Sequence, residues 1–526
     1  MLSNSRWRDV TPYLLYCTFF FAWGDMLFGL DTGSFASIQS LPSFLSEFGD
    51  RTPKGTYALP TSRKSIMNSI VFSGKLLGTM SFEPMVERIG YKWTIYVVCA
   101  MQSVAVIIQM TSHEWVQFTI GRIIAYCGVG LVENAVPSYQ AEIAPASLRG
   151  FISGSLICLA TLGAMWGAGM GQAMSGYTTR AGWLIPVGVQ LIPAVILLLS
   201  VPFTVESPRW LVLHNKKERA LQNLNRLRPK NMVENGATAA EIDAIDYAIE
   251  SSHAEKQGSW LDLFRGTYLR RTIICSLLFW FHESTGQQFV NSYGPTFFKQ
   301  IGLGSAAFTY SLVAQACGVA GALICILVVD RVGRRPILIT GQALAALFNF
   351  LVAGYGSKLH PTTAQGNLVI ASIILLFTAC KFSVNTLAFL AVAEIGGVKM
   401  RKKILSFATS VDVLSAFIVT FCIPYLLGSP GANLGPKLGW LLGGDSILAV
   451  IFAVFFFPEL AGRSLEEVDE LFEARLWAWQ FKFYETSGIG RRIAVLEEHN
   501  TNEEKVIMVE QLENVDNNNK IPDTGA

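Results

Sequence analysis

Twelve apolar runs divide this chain into two sets of six: 12–34, 65–83, 94–112, 116–138, 150–173 and 183–204, then 271–298, 306–329, 336–355, 367–391, 404–428 and 438–457. Crossing a bilayer as a helix takes ~20 mainly apolar residues, so each run is long enough to span. Inside hydrocarbon every backbone N–H and C=O must be satisfied by the protein itself, which leaves helices as the form such runs adopt. The expected fold class is therefore an all-α membrane protein. Composition agrees, since 51% hydrophobic against 15% charged residues is too little charge to coat a water-soluble chain of 526 residues.

The charged turns between the runs repeat. Glu87-Arg88-Ile89-Gly90-Tyr91-Lys92 is echoed by Asp330-Arg331-Val332-Gly333-Arg334-Arg335, Glu142 and Arg149 by Glu394 and Arg401, and Glu206 in VESPRW by Glu459 in PELAGRS. The spacings are 243, 252 and 253 residues, so the halves are duplicates. Duplicated membrane bundles are typically transporters. The division expected is an N-terminal six-helix half over 1–205, a linker over 206–270, a C-terminal half over 271–472 and a tail over 473–526 that is disordered at its end.

Lys and Arg concentrate on alternate turns and in the stretch 209–271, which the positive-inside rule places in the cytoplasm with both termini. The 35–64 loop, with Arg51, Lys54, Arg63 and Lys64, is the exception. The linker's apolar residues Ile242, Ile245, Ala248 and Ile249 recur at helical spacing, so short amphipathic helices are expected at 216–228 and 239–256. The first run is long and lacks a small-residue cleavage site, which reads as a signal anchor. The nine cysteines lie in or beside apolar runs without a CxxC, as core fillers do. A net charge of +2 gives no footprint for nucleic acid. No phosphate loop, nucleophile constellation or metal-ligand spacing appears, so neither an enzyme nor a cofactor is expected.

Pro137-Ser138-Tyr139-Gln140-Ala141-Glu142-Ile143-Ala144-Pro145, continuing to Arg149-Gly150, matches PxYxxExxPxxxRG in full. GRIIAYCGVG, Glu206-Ser207-Pro208-Arg209-Trp210-Leu211 and Pro458-Glu459-Leu460-Ala461-Gly462-Arg463-Ser464-Leu465-Glu466-Glu467 accompany it. Over residues 12 to 475 the chain resembles the sugar porter family of the major facilitator superfamily, in its fungal branch. The resemblance implies the major facilitator fold, twelve transmembrane helices in two pseudo-symmetric halves around a central site. It implies secondary transport of a sugar or related polyhydroxylated solute at the plasma membrane, with a proton as second partner and the lipid bilayer as surroundings. The alternative on the same fold is a carrier or exporter of a non-sugar metabolite, a secondary metabolite or a sugar acid such as quinate. A non-transporting nutrient sensor would need a long structured tail.

The same resemblance supplies roles. Asp31 in FGLDTG and Arg122 stand where proton-coupled relatives link protonation to opening, while facilitative relatives carry the same Asp as a structural partner. Glu87 and Arg88 with Glu142 and Arg149, and Asp330 and Arg331 with Glu394 and Arg401, are expected to form a cytoplasmic latch, with Tyr91 weakening the first because the family has Arg there. Gln287, Gln288, Ser292, Tyr293, Asn385, Phe389 and Asp412 are the expected substrate contacts. The cavity departs from the family elsewhere: Ile157 replaces a fifth-helix Gln, His282 and Glu283 replace the leading glutamines, and Asp412-Val413 replaces Asn-Trp. Ionisable residues within spans are costly and so mark function. Some of Glu133, His282, Glu283, Lys381 and Asp412 are expected to line the cavity, with Lys381 paired to Glu283 or Asp412, whereas Lys75 is expected to snorkel or face the cytoplasm. The NSYGP stretch (291–295) is expected to break the seventh helix at Gly294-Pro295 as an outer gate.

Overall fold

The computed structural model describes residues 11–486 except 54, 145–148, 255–258, 359–361, 398–399, 429–430, 462, 464 and 485, and except the side chains of 149–156, 244, 247, 248, 250–254, 330, 402, 465 and 466. The Arg149 and Asp330 side chains and the tail beyond Thr486 thus lie outside the described residues. The first half begins with Pro12–Ile38, whose N-terminus is capped by the Thr11 hydroxyl accepting from Leu14 N–H. Thr61–Met110 crosses twice, reversing at Gly90, and Trp115–Ile143, Arg149–Ala173 and Ala181–Phe203 complete six crossings. The second half runs Gly266–Ser284 with Gln287–Gln300, then Ala306–Val332, Arg334–Gly356, Thr363–Ile395, Arg401–Leu427 and Leu438–Phe455.

Hydropathy sorts onto two surfaces. Leu77, Leu327 and Leu448 are 60%, 70% and 56% exposed, as side chains facing lipid rather than a core must be. Inside, small residues let helices approach closely: a Cβ added at Gly29 of the first helix would lie 1.7 Å from the Ala160 carbonyl oxygen of the fifth. The halves meet where the first helix packs on the seventh, the second on the eleventh and the fifth on the eighth. At the second of these seams Val71 and Phe72 share an apolar cluster with Val413 and Ala416.

Between the halves lie short helices, among them Pro208–Leu213, Lys217–Leu227 and Ala237–Ala254. Their apolar faces, Leu211, Leu224, Ile242 and Ile249, form a small core of their own. Arg228 ties it to the first half, donating to the Ile143 carbonyl at 2.9 Å and to Glu241 at 2.6 Å. In the 35–64 loop a two-residue hairpin pairs Asp50 with Ala58, and Arg63 meets Asp50 at 2.8 Å, which neutralises one of that loop's exceptional cations.

The seventh helix breaks earlier than expected. Its two pieces are hinged at Gly286, with φ 115°, a conformation that suits glycine because a side chain would clash with the backbone. Gly294 and Pro295 sit inside the outer piece, so NSYGP is helical rather than the break.

Candidate functional site

The duplicated turns are built alike. Gly90 and Gly333 hold φ of 85° and 95°, which turns the following residue inward over a half-buried carboxylate. Glu206 accepts from the backbone N–H of Tyr91 and of Lys92, each at 3.1 Å, and Glu459 accepts from those of Arg334 and Arg335, each at 3.0 Å. Burial pushes the Glu206 carboxyl above its ordinary value, and the backbone N–H groups oppose that shift. The residue after each glycine then meets the second carboxylate: Tyr91 Oη donates to Glu142 at 2.9 Å, and Arg334 donates to Glu394 at 3.0 Å. The Ser207 hydroxyl also donates to Glu142.

This corrects the expected latch. Glu87, Arg88 and Arg331 are exposed, because the chain turns inward only past the glycine. Tyr91 joins the network through its hydroxyl rather than weakening it. Arg401 opens the eleventh helix, packed against Gly396.

Asp31 and Arg122 are brought together in the first half, both at most 2% exposed. Arg122 Nη2 donates to Asp31 Oδ2 at 2.9 Å, its Nη1 donates to the Met67 carbonyl at 2.8 Å, and its guanidinium lies 3.7 Å from the Phe35 ring centroid. Asp31 Oδ1 has no hydrogen-bond partner among the described residues.

Two further ionic groups lie at the seam. Lys75 is 4% exposed and meets Glu133 at 2.8 Å, so it is a buried ion-pair member and not a snorkelling residue. Asp25, absent from the groups expected in the cavity, is buried with them, although its place inside the first apolar run was the signal that could have found it. In the second half, His282 Nδ1 lies 2.8 Å from Asp412 Oδ1 and 3.1 Å from Glu283 Oε1, and its Nε2 lies 2.7 Å from Asn385 Nδ2. Lys381 donates to Asn385 Oδ1 at 3.0 Å, so it engages the amide and not the carboxylate expected for it. The two residues are the ends of a π-helical turn, Lys381–Asn385. Phe389 packs edge-on against Phe279 and His282, its centroid 4.9 Å and 6.1 Å from theirs.

The outer piece of the seventh helix faces the eleventh. Gln288 donates to the Thr420 hydroxyl at 3.0 Å and Tyr293 Oη to the Thr420 carbonyl at 2.8 Å, while Gln287 Oε1 is buried with no partner among the described residues. Gln315 donates to Asn291 at 3.3 Å. At the end remote from the charged turns, Gln39 donates to the Ser292 carbonyl at 2.6 Å, Ser65 to the Phe421 carbonyl at 2.6 Å and Lys299 to the Ser40 carbonyl at 2.6 Å, and Ser40 meets Thr296 at 2.8 Å. These bonds join the two halves and close the outer end. Thr420, Gln39 and Gln315 carried no sequence signal, since uncharged polar residues are common in helices.

Comparison with known proteins follows this geometry. The family model described as "Sugar (and other) transporter" matches residues 17–472. The chain is 30% identical to the major facilitator-type transporter ecdD of Aspergillus rugulosus, covering 86% of each. It is 27% identical to the hexose transporter HXT10 of Saccharomyces cerevisiae, covering 87% of this chain and 85% of that protein. Among solved structures it is similar to the major facilitator proton:xylose symporter XylE, with a TM-score of 0.71 at 22% identity, covering 88% of this chain and 99% of that one. The architecture is the major facilitator fold, twelve helices in two pseudo-symmetric halves.

Proposed function

The chain belongs to the Sugar (and other) transporter family, and on that premise we propose that it carries a sugar or related polyhydroxylated solute across the plasma membrane together with a proton. The observation that carries this reading is the buried Asp31–Arg122 pair, 2.9 Å apart with Asp31 Oδ1 unpartnered among the described residues, beside a seam of amides and hydroxyls. A proton arriving on Asp31 weakens its hold on Arg122, which then loses its counter-ion and shifts the packing of the first and fourth helices. Gln287, Gln288, Ser292, Tyr293 and Asn385 are the proposed hydroxyl contacts, with Phe389 and Asp412 at the cavity wall. Amides that can both donate and accept suit a solute whose hydroxyls do the same.

A sugar acid is less well served. Of the cations that could receive its carboxylate, Arg122 already meets Asp31, and Lys381 shares a hydrogen-bonded cluster with Glu283 and Asp412, whose carboxylates disfavour an anion. A hexose transporter among the relatives and a proton:xylose symporter of the same fold support the sugar reading. The test is uptake by yeast lacking its own hexose carriers, offered labelled glucose, xylose, galacturonate and quinate with and without a protonophore. Saturable sugar uptake abolished by the protonophore is the expected result. Uptake indifferent to it would leave Asp31 structural, and uptake of none, with the protein at the surface, would favour a non-sugar cargo.

A further inference from the structure

His282, Glu283, Lys381, Asn385 and Asp412 form a hydrogen-bonded chain in which every member is at most 9% exposed. Its proton positions follow from one fact: an ammonium group has donors only. Lys381 Nζ must donate to Asn385 Oδ1, which puts the Asn385 NH2 group against His282 Nε2 at 2.7 Å. That nitrogen is therefore an acceptor, and the imidazole hydrogen sits on Nδ1, shared between Asp412 at 2.8 Å and Glu283 at 3.1 Å. The imidazole is neutral in this arrangement, and Glu283 Oε2 is left with no hydrogen-bond partner among the described residues.

The surroundings do not balance the charge. From the second, fourth and first helices come Lys75, Glu133 and Asp25; from the tenth, Lys381 and Cys380; from the eleventh, Asp412. Asp445 of the twelfth helix takes the Ser284 hydroxyl, next in sequence to Glu283. With all ionised, the four carboxylates of Asp25, Glu133, Glu283 and Asp412 outnumber the ammonium groups of Lys75 and Lys381 by two. Buried charge without a partner is strongly unfavourable, and two carboxylates sharing one site favour taking up a proton between them.

We propose that Glu283, His282 and Asp412 form a proton-binding site in the C-terminal half, separate from Asp31 and Arg122. The proton arrives on Glu283 Oε2, Asp412 stays ionised as the acceptor of the imidazole N–H, and no bond other than the O–H is made or broken. Its place explains how a proton could act on the gate. Gly286 hinges the seventh helix just past the site, and both pieces are tied to the eleventh helix, the inner through Asp412 and the outer through Thr420. A proton on Glu283 ends the sharing of the imidazole N–H and leaves it wholly to Asp412, which tightens the inner tie and changes the angle at which the outer piece is held.

The proposal rests on the transport reading only for its consequence, so the test has two arms. In the first, purified full-length protein in lipid is titrated between acid and alkaline pH and its infrared difference spectrum recorded. A protonated-carboxyl band should appear in acid, persist in Asp31→Asn, vanish in Glu283→Gln and return shifted in Glu283→Asp. A band unchanged in Glu283→Gln overturns the site. In the second arm, proteoliposomes are offered labelled glucose and xylose under a pH gradient of one unit, which a single coupled proton converts into about tenfold accumulation. Glu283→Gln should lose that accumulation yet keep solute exchange in the absence of a gradient, and undiminished accumulation overturns the coupling role. Should the unaltered protein move neither sugar, the transport reading fails while the infrared arm still decides the site.

Discussion

Tyr91 donates its hydroxyl to Glu142 at 2.9 Å in the position where Arg334, its counterpart in the other half, donates to Glu394 at 3.0 Å. One half closes its charged turn with a neutral donor and the other with a cation. Tyr91→Phe removes one donor from a carboxylate, and a hydrogen bond to a charged group contributes about 1.5–3 kcal/mol. The Phe variant should melt at a lower temperature in detergent, and Tyr91→Arg should recover most of the loss by restoring the arrangement of the second half. A Phe variant as stable as the parent would mean that the remaining partners of Glu142, Ser207 among them, suffice for it.

Arg122 is the counter-ion of a fully buried carboxylate, so losing either partner alone should be costly and losing both together should compensate. Removing one partner of a buried pair costs about 3–5 kcal/mol because the other charge is left uncompensated. Arg122→Gln should therefore express and melt poorly, while Asp31→Asn with Arg122→Gln together should approach the parent. Thermal melting of the four proteins checks this, and equal losses in the single and double variants would exclude direct coupling.

The same reasoning applies to Lys75 and Glu133, 2.8 Å apart, with a twist supplied by Asp25. Lys75→Met strands two carboxylates rather than one, so Glu133→Gln should rescue it only in part, and Asp25→Asn should complete the rescue. Complete rescue by Glu133→Gln alone would show that Asp25 holds its proton throughout.

The outer end offers a test by cross-linking. Ser40 and Thr296 oxygens lie 2.8 Å apart across the two halves, within the reach of a disulfide between cysteines at those places. The Ser40→Cys, Thr296→Cys protein should lose transport on oxidation and regain it on reduction. Transport that survives demonstrated cross-linking would show that the outer end need not open.

Sequence alone carried the bundle and the duplicated turns because both are local: apolar run length sets spans, and charge repeats at fixed spacing mark equivalent turns. It also identified Glu133, His282, Glu283 and Asp412 as interior groups, since a charge in mid-span is too costly to leave against lipid and must turn toward the bundle. It misjudged Lys75, although a place midway along the run 65–83 is where a snorkelling side chain fits worst, and only the approach of the fourth helix reveals Glu133. Tyr91 was misread for a related reason. Counting charge treated a lost arginine as a lost contact, whereas the turn at Gly90 brings any donor of suitable length to Glu142. Gly286 went unnoticed as the hinge because a Gly-Pro step nearby is the stronger helix-breaking signal, yet Pro295 is accommodated within the helix.

Three of the four bonds that shut the outer end are accepted by main-chain carbonyls, those of Ser292, Phe421 and Ser40. No substitution removes a carbonyl, so mutation can reach this closure from the donor side alone, at Gln39, Ser65 and Lys299. Random variation should therefore leave its mark lopsidedly: position 421 tolerates many residue types, while the three donors tolerate few.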